Sequence, residues 1–505
     1  MLSQANSFGL SGLTGFPVKV EADISGGLPA YETVGLPDAA VKESKERVRA
    51  ALKNSGFLLP PSRITVSLAP ANVRKEGSVY DLPIALALLC AQGKIKQAPL
   101  TRAIYLGELA LNGDVRGVNG VLPMVISARQ AGEEVFFVPR ENAEEAACVE
   151  GARVFPVDNL RGLIAFLQGE GGMEPLPQTV VVPEIGENAL DFSYIKGQAS
   201  AKRAAEIAAA GGHNLLLAGT PGSGKTMLAR AMPSILPPMD MAECMEVTKI
   251  HSVVGHRGLV TARPYRSPHH GASAVAITGG GSNALPGEIS LAHLGVLFLD
   301  EFPEFHRDVL ESLRQPLEDG VITVSRSKQS CTYPASFMLV AAMNPCPCGN
   351  RGSRTKACTC SPAAIHRYVR KISGPLLDRI DLFIEMNDVP FEELTGKSEG
   401  ESSQVIRQRV TAARQRQHER FGSDSTRLNA QLTIGEMDEF CQLSKPCRDI
   451  MERAFQRMEL SARAYQRVRK VARTIADLAG SESIQEQHLM EAIRYRSLPI
   501  LQEEP

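Results

Sequence analysis

Leu215-Leu-Leu-Ala-Gly219-Thr-Pro-Gly-Ser-Gly-Lys225-Thr226 decides the fold of the central part of this 505-residue chain. The apolar run from Leu215 to Ala218 predicts a buried strand, and Met227 to Ala231 predicts a following helix. A glycine-rich turn between a strand and a helix N-terminus directs backbone N–H groups at phosphates. The predicted nucleotide-binding residues are therefore Gly219, Thr220, Pro221, Gly222, Ser223, Gly224, Lys225 and Thr226. We expect Lys225 to reach the β- and γ-phosphates of ATP and Thr226 to bind Mg²⁺.

A second apolar run ends in two acids, about seventy residues after the phosphate loop. A strand is predicted by Gly295-Val-Leu-Phe-Leu-Asp300-Glu301, with the two acids at its end. Asp300 is expected to hold Mg²⁺, and Glu301 is expected to polarise the attacking water. Two acids after a strand are, taken alone, more often a solvated strand end. The preceding phosphate loop favours the catalytic interpretation.

Two further residues are candidates for catalysis. Met338-Leu-Val-Ala-Ala-Met-Asn344 predicts another strand, and Asn344 at its end is expected to contact the attacking water or the γ-phosphate. Arg379 is the candidate for an arginine that enters a neighbouring subunit's site, because negative charge on the transferring phosphoryl group calls for a cation. The alternative for Arg379 is a salt bridge to Asp378 or Asp381. An arginine supplied in trans requires a ring of subunits.

Composition divides the chain into blocks. Residues 1–170 predict a compact α+β domain, with a helix from Asp38 to Ser55 and strands at 64–68 and 135–138, and residues 171–189 have the composition of a linker. Residues 190–395 predict an α/β domain with a parallel sheet, and residues 396–505 are helical and Arg-rich. The net charge of −1 neither supports nor excludes a nucleic-acid partner. The longest apolar run, 84–91, is too short to span a bilayer and no export segment is recognisable, so we expect a cytoplasmic protein without membrane contact.

The motifs from 190 to 500 resemble those of the magnesium-chelatase-like AAA+ ATPases, specifically the bacterial YifB/ComM group. The matching stretches are Lys196-Gly-Gln198, Gly211-Gly-His-Asn-Leu-Leu, Arg263-Pro-Tyr-Arg-Ser-Pro-His-His270, Gly287-Glu-Ile-Ser-Leu-Ala-His293, Asn344-Pro-Cys-Pro-Cys-Gly349, Lys371 to Asp381, and Leu460-Ser-Ala-Arg463 through Asp477. The resemblance implies an AAA+ core with a helical lid of the magnesium-chelatase C-terminal type. It also implies ATP and Mg²⁺ as cofactors and a homo-oligomer, a hexamer. For ComM members it implies a DNA helicase that moves branched recombination intermediates.

The resemblance also assigns residues outside the phosphate loop. Arg463 fits an arginine early in a lid helix that contacts the γ-phosphate, and Arg467, one turn on, is the fallback. Residues 320–332 independently predict two strands around a basic tip. By resemblance this hairpin projects into the ring pore, where Arg326 and Lys328 would touch the phosphate backbone of DNA. The alternative is an ordinary exposed basic turn.

The first domain resembles the Lon-type protease fold that also ends the recombination protein RadA. The matching segments are Ala69-Pro-Ala-Asn-Val-Arg-Lys75-Glu-Gly77 and Gly107-Glu-Leu-Ala-Leu-Asn-Gly113. Where Lon has its catalytic serine and lysine, this chain has Val79-Tyr80-Asp81 and Leu122. Ser78 is near, but without a lysine base it is a weak nucleophile. We therefore expect a non-proteolytic domain that helps ring assembly or holds DNA.

Four of the ten cysteines lie between 346 and 360. Cys346, Cys348, Cys358 and Cys360 supply four thiolates on a loop with almost no apolar residues, which predicts a closed structural Zn²⁺ site. An iron–sulfur cluster and four free thiols are the alternatives. From Pro345 to Leu377 there is no acid, whereas Arg351, Arg354, Lys356, Arg367, Arg370 and Lys371 are basic. This loop suits a polyanion such as DNA, or it is a solvated loop that touches a neighbouring subunit.

The sequence therefore predicts a ring-forming ATP hydrolase. The leading hypothesis is a DNA translocase or branch-migration helicase. The second is a protein-remodelling ATPase, like the chelatase motor subunit that acts on a partner enzyme. An ATP-dependent protease is disfavoured because both dyad positions are replaced. The pairs His269–His270 and His251/His256 are expected to serve packing or inter-subunit contacts, since they lack regular ligand spacing.

Overall fold

The computed structural model of the protein describes residues 2–179, 184, 186, 190–281, 284–325, 330–353, 356–390, 393, 400–422 and 426–497. The chain divides into two compact units. Unit 1 contains residues 1–182, 240–261 and 327–333, and unit 2 contains residues 183–239, 262–326 and 334–505.

The strands and helices are numbered in chain order. The strands are β1 Leu2–Ser11, β2 Thr14–Ser25, β3 Ala30–Val34, β4 Arg63–Ala69, β5 Ile104–Tyr105, β6 Glu108–Leu109, β7 Val115–Arg116, β8 Val135–Pro139, β9 Arg153–Val157, β10 Leu215–Gly219, β11 Tyr265–Arg266, β12 Gly279–Gly280, β13 Leu285–Pro286, β14 Val296–Leu299, β15 Val321–Ser325, β16 Ser330–Pro334, β17 Met338–Met343 and β18 Leu382–Met386. The helices are α1 Ala39–Asn54, α2 Asp81–Ala91, α3 Gln97–Thr101, α4 Val121–Gln130, α5 Arg140–Ala146, α6 Leu160–Gln168, α7 Ala199–Gly211, α8 Lys225–Ile235, α9 Met241–Val253, α10 Ala274–Thr278, α11 Glu288–Leu291, α12 Arg307–Ser312, α13 Arg314–Asp319, α14 Pro362–Val369, α15 Gly374–Leu377, α16 Ser403–Phe421, α17 Ile434–Phe440, α18 Lys445–Arg457, α19 Ala462–Leu478 and α20 Glu486–Arg494.

Unit 1 is built on a seven-stranded mixed sheet with the order β3-β4-β2-β1-β5-β8-β9. The strands predicted at 64–68 and 135–138 are β4 and β8, and the helix predicted from Asp38 is α1. Asp38 caps this helix by accepting a hydrogen bond from the N–H of Val41 at 2.8 Å. Helix α2 is buried along its whole length, consistent with its apolar sequence.

A segment from the middle of the chain also belongs to unit 1. Residues 240–261 contain α9, whose N-terminus carries a capping box between Asp240 and Glu243. The Gly120 N–H donates to the carbonyl of Ser252 at 3.0 Å, and Arg257 pairs with Glu141 on α5. The capping box is local in sequence, whereas the packing partners of α9 are set by tertiary contacts.

Unit 2 contains a five-stranded sheet with the order β11-β14-β17-β10-β18, in which all neighbouring strands are parallel. Strand β10 is flanked by β17 and β18, and all five of its residues are buried. The three predicted strands at 215–218, 295–299 and 338–343 are therefore adjacent in one sheet. Their carboxyl ends lie at one edge, which is where parallel α/β sheets bind ligands.

Helices α16 to α20 form the C-terminal part of unit 2, as the sequence predicts. Arg420 and Arg473 both form ion pairs with the buried Asp477 in this part of unit 2. Among the described residues, no helix is long and apolar enough to cross a membrane.

Candidate functional site

The predicted phosphate loop joins β10 to α8. Gly222 and Gly224 have φ angles of 86° and 96°, which glycine adopts without the strain that a side chain would impose. A Cβ on Gly219 would lie 2.3 Å from the carbonyl oxygen of Met386, so a side chain does not fit there. Helix α8 begins at Lys225, so its N-terminal N–H groups lie at the end of the loop.

Lys225 is folded back onto this loop. Its Nζ donates to the carbonyl oxygens of Gly219 and Thr220 at 2.6 and 2.9 Å, and lies 3.4 Å from Oδ1 of Asn344. Burial lowers the pKa of Lys225, and the carboxylate of Asp300 opposes that shift. The ammonium is thus positioned beside the carboxyl end of β17, where Asn344 was predicted to act.

The two predicted Mg²⁺ ligands contact each other. Thr226 Oγ1 donates to Oδ2 of Asp300 at 3.0 Å, although these residues lie 74 positions apart. A threonine hydroxyl and a carboxylate oxygen at hydrogen-bond distance fit the hard oxygen ligands that Mg²⁺ prefers. Oδ1 of the same carboxylate accepts the backbone N–H of Glu301 at 2.9 Å.

Glu301 is held in a special conformation. Its φ is 51°, which is uncommon for a residue with a side chain and marks a position worth a functional hypothesis. Its carboxylate is half-exposed, and Oε2 lies 2.9 Å from Nδ1 of His270. The sequence assigned the His269–His270 pair to packing or inter-subunit contacts, so this contact was missed. Both residues follow parallel neighbouring strands, β11 and β14, and that shared position was the available indication.

ATP and Mg²⁺ fit these residues. Ser223 Oγ is buried and has no hydrogen-bond partner among the described residues, as expected of a hydroxyl in a phosphate-binding turn. Lys225 would hold the β- and γ-phosphates, and Thr226 and Asp300 would hold the metal. Bound Mg²⁺ would supply the charge that neutralises the transferring phosphoryl group.

Arg379 is engaged by its own chain. Its guanidinium pairs with Glu318 and donates to the carbonyl oxygens of Pro375 and Arg314 at 2.7 and 3.1 Å. The acid in contact is thus neither Asp378 nor Asp381, the partners considered from the sequence. The role of Arg379 in a neighbouring subunit stays a prediction.

The two lid arginines differ in their surroundings. Arg463 is exposed in the first turn of α19, where Ser461 caps the helix by accepting from the Ala464 N–H at 3.1 Å. Arg467 pairs with Asp381, a fully buried acid. Arg467 is therefore engaged by its own chain, and contact of Arg463 with the γ-phosphate stays a prediction.

The four predicted cysteine ligands come together. The sulfur atoms of Cys346, Cys348, Cys358 and Cys360 all lie within 4.8 Å of one another. Three of the Sγ–Sγ distances are 3.4, 3.6 and 3.7 Å. Zn–S bonds of about 2.3 Å in a tetrahedron place sulfurs about 3.8 Å apart, so the cluster has the dimensions of a Cys₄ zinc site.

The predicted DNA-contacting residues belong to a hairpin at residues 320–332. Both predicted strands are present, as β15 and β16. Arg326 and Lys328 lie between them, outside the described residues, as does Arg354 of the basic loop.

In unit 1 the positions that correspond to the Lon dyad are core residues. Val79, Tyr80 and Leu122 are 6%, 1% and 0% exposed. Ser78 donates to Glu108 rather than to a lysine. Lys75, the lysine nearest in sequence, donates its Nζ protons to the carbonyl oxygens of Pro70 and Val73. No Ser–Lys pair is therefore formed by these residues.

Comparison with known proteins covers almost the whole chain. Three family models match successive segments: "Subunit ChlI of Mg-chelatase" over residues 20–142, "Magnesium chelatase, subunit ChlI" over 191–394 and "Magnesium chelatase, subunit ChlI C-terminal" over 400–496. YifB of Escherichia coli (strain K12) is 44% identical over 96% of this chain and 95% of its own length. Competence protein ComM of Haemophilus influenzae is 44% identical over 95% of this chain and 94% of its own. Lon protease 2 of Bacillus subtilis is 26% identical over 23% of this chain and 22% of its own.

Proposed function

We propose that this chain, a member of the magnesium-chelatase-like ATPase family of YifB and ComM, is a ring-forming ATPase. In this proposal it couples ATP hydrolysis to movement on DNA. The observation that carries the hydrolytic part is the contact between Thr226 and Asp300 at 3.0 Å. It supports a metal position at the end of the phosphate loop, with Glu301 next in sequence.

Each residue of the site has a distinct task in this proposal. Lys225 binds the β- and γ-phosphates, and Thr226 and Asp300 hold Mg²⁺. Glu301 orients the attacking water and takes up its proton, while Asn344 fixes the water or the γ-phosphate. Arg463, early in a helix of the lid, contacts the γ-phosphate.

The ring part of the proposal depends on Arg379. We infer that Arg379 completes the site of the adjacent subunit, where its charge stabilises the transition state. A closed ring, a hexamer by family resemblance, gives every site such a donor.

The DNA part is supported by surface charge and by one relative. Lys356, Arg367 and Arg370 are exposed, and the sequence from 345 to 377 has no acid to neutralise them. The Haemophilus relative is named a competence protein, and we extend a DNA-related role to this chain. Arg326 and Lys328 are proposed as further contacts to the DNA backbone.

The metal at the cysteine cluster is proposed to be Zn²⁺. The Sγ–Sγ distances support a four-coordinate ion, and four thiolates without an open position are typical of structural zinc.

The test of the DNA role is the ATPase rate with and without four-way or forked DNA, measured over a range of salt concentrations. We expect DNA to stimulate turnover and binding to weaken steeply with salt. The double variant Arg367→Glu/Arg370→Glu should lose stimulation, with the salt slope reduced by about one for each lost phosphate contact. Arg448→Glu/Arg457→Glu, which reverses two exposed arginines on α18, is the matched control.

A second function is favoured by the chelatase family models themselves. In that case the chain remodels a partner protein, and the same ATP site drives the remodelling. Hydrolysis without DNA stimulation and without salt-sensitive DNA binding would support this function and contradict the first.

A further inference from the structure

The cysteines belong to a loop that follows Asn344 and precedes α14. We call residues 345–361 the cysteine loop. Its described residues form no helix or strand, and it contains almost no apolar side chains. Such a segment lacks the buried surface that would fix its conformation, so a bound metal is the constraint that can order it.

The cysteine loop packs directly against the phosphate loop. A Cβ on Gly349 would lie 2.8 Å from Cγ and 3.0 Å from Cδ of Pro221, so the glycine backbone rests on the proline ring. Gly349 lies one position after Cys348, a ligand of the cluster. The metal cluster and the phosphate loop are therefore joined through a contact that tolerates no side chain.

A shared carboxylate makes a second connection. Asp388, just beyond β18, accepts hydrogen bonds from Thr220 Oγ1 of the phosphate loop and from Ser353 Oγ of the cysteine loop, the latter at 3.4 Å. A cavity of about 30 Å³ lies where Thr220, Pro345 and Gly352 approach one another, large enough for a water molecule. The cysteine loop therefore packs along one side of the first half of the phosphate loop.

We propose that Zn²⁺ bound by Cys346, Cys348, Cys358 and Cys360 holds Thr220 and Pro221 in the conformation that binds nucleotide. The metal is a positioning element: it touches no phosphate and acts through Gly349 and Asp388. Loss of zinc frees the cysteine loop, removes the wall against Pro221 and weakens ATP binding. This inference rests on the proposed ATPase function but not on its DNA part.

The first experiment measures metal content and nucleotide affinity on the full-length protein. Freshly purified, reduced protein should contain about one zinc per chain. Zinc is removed with a thiol-reactive mercurial, followed by thiol treatment and buffer exchange. The zinc-free protein should bind a fluorescent ATP analogue about tenfold more weakly, which corresponds to about 1.4 kcal/mol. Added Zn²⁺ should restore the affinity. Protein without zinc, protein with iron instead, or zinc-free protein with unchanged affinity would overturn the proposal.

The second experiment separates the contact from the metal. Gly349 and Gly352 have nearly equal φ angles of 77° and 80°, but a Cβ on Gly352 meets nothing within 4 Å. Both Gly349→Ala and Gly352→Ala should retain one zinc and share the same backbone strain. Only Gly349→Ala should weaken nucleotide binding, because its methyl group meets Pro221. Equal affinities in the two variants would contradict the role of this contact.

The outcomes also separate this inference from the proposed function. Failure of DNA stimulation in a protein whose ATP affinity depends on zinc removes the DNA role and leaves the zinc role intact. ATP affinity that is indifferent to zinc and to Gly349→Ala removes the zinc role, whatever DNA does to turnover.

Discussion

His270 Nδ1 lies 2.9 Å from Oε2 of Glu301, so the acid expected to polarise the attacking water is bound by an imidazole of its own chain. The two residues meet because β11 and β14 pair in parallel, with Tyr265 opposite Val296. His270 also contacts Phe305, with ring centroids 6.4 Å apart in an edge arrangement. The imidazole is thus supported from a second side while it contacts the carboxylate. A carboxylate that shares its oxygen with an imidazole is less available to a water molecule.

Replacement of His270 by alanine should raise ATP turnover of the DNA-free protein. At the lower end of the usual range, a hydrogen bond to a charged group stabilises it by about 1.5 kcal/mol. A difference of about 1.4 kcal/mol in the activation free energy corresponds to a tenfold change in rate. Because Glu301 is half-exposed, we expect a smaller increase, about three- to tenfold. Steady-state phosphate release measures it.

The matched control is His269→Ala. The His269 ring packs against that of His270, with centroids 4.1 Å apart and ring planes tilted by 35°. Its Nδ1 accepts a hydrogen bond from the Gly271 N–H. Its turnover should stay near that of the wild type. A decrease in His270→Ala would mean that the imidazole supports Glu301 in catalysis rather than restraining it.

Glu301→Gln should bind ATP with normal affinity and still assemble, but lose hydrolysis by at least about a hundredfold, because general base catalysis contributes that much. The phosphate loop, Lys225 and the Thr226–Asp300 contact remain intact in this variant. Single-turnover hydrolysis and equilibrium nucleotide binding are the two measurements. Turnover near that of the wild type would place the catalytic carboxylate elsewhere.

The residues that meet around the phosphate loop could be predicted from the sequence because their motifs are local. The phosphate loop is a strand, a turn and a helix start in one stretch of chain, and Asp300 and Asn344 each end an apolar strand. Parallel pairing of β10 and β14 with β17 then brings these ends together. Helix α1 was equally predictable, since Asp38 and the amphipathic run that follows are adjacent in sequence.

Contacts between distant segments were not predictable in the same way. His270 and Glu301 follow different strands, and the periodicity of either segment contains no information about the other. The same holds for Glu318, which engages Arg379 although nearer acids flank that arginine in sequence. Helix α9 has a recognisable cap, but its place in unit 1 depends on tertiary packing. The contact of Gly349 with Pro221 joins two loops that only the folded structure brings together.

A buried acid in unit 1 predicts a pH dependence of stability. Burial raises the pKa of Glu145 from 4.5 to about 7, opposed by the amide of Asn142 and the charge of Arg257. Between these values the native state retains a proton that the unfolded state has released, so stability falls as pH rises from about 4.5 to about 7. At 1.36 kcal/mol per pKa unit, the free energy of unfolding of the wild type should fall by about 3 kcal/mol over this window, and that of Glu145→Gln should not.

The measurement is chemical unfolding of unit 1 at pH 5 and pH 8, followed by hydrogen exchange of α5 to separate it from unit 2. Glu144→Gln is the matched control, because Glu144 is the exposed neighbour on the same helix. We expect Glu144→Gln to follow the wild type at both pH values. Equal pH dependence of all three proteins would show that Glu145 is not the titrating group.

Arg379→Ala should abolish hydrolysis while ATP affinity is retained, because a cation supplied to the neighbouring site acts on the transition state. The alternative is that Arg379 only stabilises its own subunit through Glu318 and the carbonyl oxygens of Pro375 and Arg314. Glu318→Gln distinguishes the two. This substitution removes the ion pair and keeps the arginine. If Arg379 acts in trans, Glu318→Gln should retain hydrolysis. If Arg379 is purely structural, Glu318→Gln and Arg379→Ala should both lose thermal stability and turnover.

Mixed rings test the same assignment without relying on any single variant. In a ring of Arg379→Ala and Glu301→Gln subunits, a site is complete when an Arg379→Ala subunit supplies Glu301 and the adjacent Glu301→Gln subunit supplies Arg379. Random mixing at equal amounts makes about a quarter of the interfaces complete, so we expect about a quarter of wild-type turnover from two inactive proteins. Subunits labelled with two fluorophores report whether mixed rings form. If they form and hydrolysis stays absent, Arg379 acts within its own subunit, because only a residue supplied in trans can be restored by a neighbour.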